Sequence, residues 1–132
     1  SVVDYGSGNL MGRPWGIALG EPNDLYVSDD GTDEILHMDM TTGTVSLFEW
    51  RRLDQPRGLV WLSGGPSAFA DSLLIANRNA RTVSSTQGLG QTRSAVYLRN
   101  DPVDVHLVGD TLYILTEPSQ GSPGRIFVVT GF

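Results

Sequence analysis

Short apolar runs alternate with glycine, proline and acidic punctuation along this chain, and the runs recur in a fixed order. Arg13-Pro14-Trp15-Gly16-Ile17-Ala18-Leu19 returns as Gln55-Pro56-Arg57-Gly58-Leu59-Val60-Trp61 and again as Asp101-Pro102-Val103-Asp104-Val105-His106-Leu107. The three prolines lie 42 and 46 residues apart, a spacing that suits four short strands and their turns. A second apolar element follows each: Asp24-Leu25-Tyr26-Val27-Ser28-Asp29, Asp71-Ser72-Leu73-Leu74-Ile75-Ala76-Asn77 and Asp110-Thr111-Leu112-Tyr113-Ile114-Leu115-Thr116-Glu117. Runs of this kind, bounded by turn formers, predict strands. Asp29, Asn77 and Glu117 then close equivalent strands.

Third strands are predicted over 34–39, 81–84 and 125–129. Thr41-Thr42-Gly43-Thr44 reads as a hairpin turn into an outer strand over 45–50, and 95–99 closes the second copy in the same way. No window keeps apolar residues at i, i+3, i+4 and i+7 for the length a helix needs, and 16 Gly with 7 Pro break the chain between runs. The fold class is therefore all-β.

Pro14-x-Gly16-Ile17-Ala18, then Leu25-Tyr26-Val27-x-Asp29, then an Ile35-containing strand ending in Asp39, together resemble the NHL repeat. The resemblance implies a β-propeller segment of three four-stranded antiparallel blades, half of a six-bladed ring. Blade one would span 13–54, blade two 55–100 and blade three 101–132, the last lacking its own outer strand. Residues 1–12 would supply a closing strand, Ser1 to Tyr5, and a loop. The same blade pattern occurs in six-bladed lactonases, streptogramin-type lyases and amidating lyases, so it specifies fold better than chemistry.

Three blades cannot close a ring, since propellers use four or more. An open arc leaves apolar faces bare at both ends, so the expectation is a partner: a second copy whose first strand completes the third blade across a two-fold interface. The competing expectation is that the chain is part of a longer propeller. Beginning at Ser1, it reads as a processed or excised segment.

With 39% apolar and 18% charged residues in 132, the chain has the composition of a globular domain. The absence of cysteine excludes disulfides, Cys-based zinc sites and thiol chemistry. All nine basic residues are Arg, and 15 acids set the net charge at −6, which argues against a nucleic-acid partner. No apolar stretch is long enough for a membrane-spanning helix, so no membrane partner is expected. The lack of Lys is read first as codon bias, and second as a salty or secreted, extracellular setting.

In a propeller, the loops before the first strands and between the second and third share one face around the central channel. They carry Arg13, Trp15, Asp29, Asp30, Asp33, Arg57, Asn77, Arg78, Asp104 and Glu117, the candidate ligand-binding face. Oxygen ligands there, with Asp29, Asp104 and Glu117 foremost, could hold Ca or Mg. The favoured role for Asp29, Asn77 and Glu117 is instead to cap the following turn, and no cofactor is expected. Metal-binding lactonases resembling this pattern carry an Asn directly after the inner-strand proline. Here those positions are Trp15, Arg57 and Val103, which argues against that activity.

For acid–base catalysis the candidates are His106 and Asp104, two apart in one strand and so on one side of it; a packed histidine is the preferred account. His37, between Leu36 and Met38, reads as structural. Trp15 could stack on a sugar or peptide ring, Trp61 fills the wedge between blades, and Trp50 pairs with the adjacent arginines. The reading is a non-enzymatic binding or assembly module with a protein, peptide or glycan ligand. The alternatives are a propeller lyase or hydrolase with a divalent cation at the channel mouth, and a subunit of an extracellular assembly.

Overall fold

Strand β1 (Pro14–Leu19) opens the first sheet, followed by β2 (Asp24–Asp29), β3 (Glu34–Asp39) and β4 (Val45–Glu49), each hydrogen-bonded to the next. A second meander repeats it with β5 (Pro56–Leu62), β6 (Ser72–Asn77), β7 (Thr82–Thr86) and β8 (Arg93–Tyr97). The third sheet has β9 (Asp101–Val108), β10 (Thr111–Glu117) and β11 (Arg125–Thr130). This computed structural model describes residues 1–2, 11–65 and 67–132, and among them no helix occurs. The closing strand expected from Ser1 to Tyr5 falls largely outside the described residues.

Local chemistry sets the hairpins. Asn23, Asp71 and Gly109, each just before a second strand, lie in the left-handed region, which Asn, Asp and Gly enter at least cost. Each inner strand carries its proline at or beside its first residue, where a missing N–H is tolerated. A register shift follows between Pro14 and Ile17, and again between Pro56 and Leu59.

Side-chain alternation gives each sheet two faces. Blade one turns Ala18, Tyr26 and Ile35 toward blade two, which answers with Leu59, Leu73 and Ile75. Tyr26 stacks on Trp61, ring centroids 5.5 Å apart and planes parallel, so Trp61 does fill the wedge between blades. The opposite face of blade two packs Leu62, Leu74, Ala76 and Val83 against Val105, Leu112 and Ile114 of blade three. Each fully buried Leu or Ile here contributes about 2 kcal/mol of transfer free energy.

The glycine of the proline motif has a steric cause. A Cβ on Gly16 would lie 2.5 Å from the Arg57 carbonyl oxygen, and one on Gly58 would overlap the Asp104 Cα. Inner strands of successive blades approach too closely for any side chain at this position. Asp104, its counterpart in blade three, keeps a side chain because no described residue packs beyond it. The two outermost faces remain apolar and open: Ile17 is 68% and Leu19 66% exposed on blade one, Ile126 69% and Val128 57% on blade three.

Candidate functional site

Strand register revises one equivalence. Pro14 pairs with Asp29, Pro56 with Asn77, and Pro102 with Thr116, so Thr116 and not Glu117 matches Asp29 and Asn77. A register shift between Leu115 and Thr116 moves the third copy by one residue. Glu117 is the counterpart of Asp30 and Arg78.

The two sets do different work. Asp29 accepts backbone N–H bonds from Gly12, Arg13, Gly31 and Thr32. Burial pushes its carboxyl up, but those four bonds outweigh it and hold it below the usual range. Asn77 accepts from the Asp54 N–H and donates to Ser84 Oγ at 2.9 Å. Thr116 Oγ1 accepts from Arg125 N and donates to its carbonyl oxygen. All three tie down turns.

Asp30, Arg78 and Glu117 instead join Arg13 and Arg57 in one charged ladder across the three blades. The buried Asp30 carboxylate accepts from Arg13 Nε and, at 3.1 Å, from Arg57 Nε. Arg57 Nη1 lies 3.8 Å from Glu117, which also pairs with Arg78 Nε. Arg78 continues to Gln55 Oε1 at 2.9 Å, and Asp33 accepts from the Gln55 N–H at 2.7 Å. The Arg57 guanidinium stands 4.0 Å over the Trp15 ring, and Trp15 is 54% exposed. Sequence reasoning named these residues, Gln55 excepted, without their pairing; the cross-blade partners lie 27 and 39 residues apart for Arg57–Asp30 and Arg78–Glu117.

Asp104 and His106 do share a face of β9, the face turned away from blade two, and both are exposed. His106 is exposed because no described blade covers that face. Asp104 Oδ1 accepts only from the Val105 N–H among the described residues, and no bond joins the pair. An Asp–His pair forms elsewhere: His37 Nε2 is 2.6 Å from Asp24 Oδ1, with the His37 ring tilted against Tyr26. Burial first, then Asp24 and Glu21, raise the Tyr26 phenol. The hairpin pairing of Tyr26 with His37 makes Asp24 the diagonal neighbour of His37, a relation already implicit in the hairpin's residue order.

Asp29, Asp104 and Glu117 do not converge. Among the described residues no three His, Asp or Glu side chains group as cation ligands. A cavity of about 380 Å³ lies along the inner strands, lined by Trp15, Gly16, Ile17, Gly58, Val103 and Asp104. It is the channel side of the arc.

Solved structures with this arrangement are β-propellers, and the chain is a β-propeller segment. A luciferin-regenerating enzyme superposes with a TM-score of 0.73 at 16% identity, over 92% of this chain and 46% of that one. A chain of the nidogen/laminin complex matches at 0.66 and 20% identity, over 93% and 50%. Virginiamycin B lyase from Staphylococcus aureus matches at 0.61 and 16%, over 86% and 40%. The chain spans about half the length of these structures. No protein-family model and no curated protein sequence matches it.

Proposed function

We propose that the chain is a binding and assembly module, without catalysis of its own, that buries its two outer blade faces against neighbouring blades to complete a six-bladed ring. A second copy or further blades of a longer propeller would supply those neighbours. The observation that carries this reading is the pair of exposed apolar faces, Ile17 and Leu19 at one end and Ile126 and Val128 at the other. In register they repeat the faces that blades one, two and three already bury against each other. Water-exposed apolar patches of this kind mark interaction surfaces.

The charged ladder supports a binding role for the channel mouth. Asp30 and Glu117 are paired with arginines and Asp29 is bonded by backbone N–H groups, which leaves the exposed Trp15 ring, backed on one face by the Arg57 guanidinium, as a planar surface suited to stacking a ligand ring. The test is solution mass by light scattering with negative-stain microscopy. Expected are closed rings of about twice the 14.3 kDa chain mass, reverting to monomer in Ile126→Asp. A monodisperse, well-folded monomer at all concentrations overturns completion by a second copy and leaves only further blades of a longer propeller, and open filaments would replace the ring by a non-closing head-to-tail assembly.

A further inference from the structure

A second cavity, of about 480 Å³, opens between the end of blade two and the β10–β11 loop of blade three. Arg99 and Arg125 both line it, with Ser119, Gln120, Ser122 and Phe127. Its arginines set this crevice apart. Arg13, Arg57, Arg78 and Arg81 form ion pairs, and Arg51 and Arg93 sit over the rings of Trp50 and Phe69. Of the other three, Arg52 lies exposed in a turn, whereas Arg99 and Arg125 face this one cavity, and none of the three has an ion pair among the described residues, although the chain carries 15 acids. Two guanidinium groups facing one cavity without a counter-ion repel each other, and an oxyanion between them relieves that cost.

The crevice is built by two local departures from the repeat. Three residues before the inner-strand proline, blade two has the buried Leu53, whereas blade three has Arg99. Eight residues, 117–124, separate Thr116 from its partner Arg125, where four separate Asp29 from Glu34 and Asn77 from Thr82. The longer loop is held in shape. Ser119 and Ser122 exchange backbone bonds of 3.0 and 2.9 Å, and a Cβ on Gly124 would lie 2.8 Å from the Thr116 carbonyl oxygen. The buried Asn100 amide reaches Ser122 Oγ at 3.3 Å and the Pro123 carbonyl at 3.4 Å.

We propose that this crevice is a binding site for an acidic monosaccharide: a sugar bearing one carboxylate, sulfate or phosphate. The two arginines take the oxyanion, Ser119, Gln120 and Ser122 bond the hydroxyls, and Phe127 offers a face to the ring C–H groups. The site is independent of ring closure, because Arg125 and Phe127 alternate with Ile126 and Val128 and point to the opposite face of β11.

Calorimetric titration of the whole chain with D-glucuronate, D-glucose 6-phosphate, D-glucose 6-sulfate and D-glucose tests it. The acidic sugars bind with affinities in the range of about 1 mM, and glucose binds at least about tenfold more weakly. Arg99→Gln and Arg125→Gln each cost the acidic sugars about tenfold while the circular dichroism and melting profile stay unchanged, since both side chains are exposed. The relative strength of the three acids identifies the oxyanion. Equal binding of glucose, no binding of any acidic sugar up to about 10 mM, or affinities unmoved by both substitutions would overturn the proposal.

Discussion

The two junctions between blades start from the same inner-strand geometry and diverge toward the rim. At both, a glycine lets the next inner strand approach, and apolar side chains fill the gap behind it. At the first junction the filling is aromatic and the rim is closed. Leu53 plugs it, and the buried Glu49 at the end of β4 accepts bonds from Gly90 N and Thr92 Oγ1 of blade two. At the second junction the filling is mainly aliphatic, with Phe69 and Phe132 in contact at its edge, Arg99 replaces the plug, and a loop twice as long leaves a polar crevice. One repeat can therefore carry a structural seam on one side and a candidate ligand site on the other, by changing one residue and one loop length.

Exchanging the plugs breaks this comparison most severely. Leu53→Arg places an unpaired cation in a closed apolar seam and is expected to cost about 4 kcal/mol, read as a lowered urea midpoint. Next comes Gly58→Ala, whose new methyl meets backbone that cannot yield; about 3 kcal/mol is expected, whereas Asp104→Gly at the unfilled counterpart leaves the urea curve nearly unmoved. Glu49→Gln is expected to cost about 2 kcal/mol, because an amide cannot accept all four bonds from Trp50 N, Arg51 N, Gly90 N and Thr92 Oγ1.

The same carboxylates set the acid limit of stability. Burial raises Glu49, but the Thr92 hydroxyl and the backbone N–H groups of Arg51, Trp50 and Gly90 outweigh it, so Glu49, like Asp29, is held below its ordinary value. The unfolded chain then binds protons more tightly than the native one. Their stabilisation is complete above the ordinary values of 4.5 and 3.8 and is lost as pH falls through the lower native ones. Urea midpoints measured from pH 6 down to about pH 3 should fall, and fall less steeply in Glu49→Gln. The smallest effect is Arg99→Leu, expected within about 0.5 kcal/mol by the same denaturation, since an exposed arginine without an ion pair contributes little to folding.

Most of the architecture was legible in the residue order. Proline spacing, period-two apolar runs and Gly or Asn at hairpins are local properties, and the strands they mark lie within about two residues of where the structure places them, the outer strand expected over 95–99 being Arg93–Tyr97. The site was legible only as a set of names. Glu117 was aligned one residue out of phase, because the shift at Leu115 and Thr116 is a backbone irregularity that no side-chain pattern announces. The side taken by His106 is equally open in the sequence, because alternation along β9 can turn it either way until the neighbouring blade is placed. The Asp24–His37 pair needed only hairpin register, and the crevice between Arg99 and Arg125 needed two blades in position.

By itself the sequence determined that the chain is all-β, that it repeats three times, and that each repeat opens on a proline and, in the first two, a glycine; these follow from turn chemistry and alternation within a few residues. Tertiary structure alone decided which acids cap turns and which bridge blades, which glycines are sterically required, and where arginines are left facing a cavity. Those outcomes depend on contacts between residues dozens of positions apart, and so on how closely one blade packs on the next.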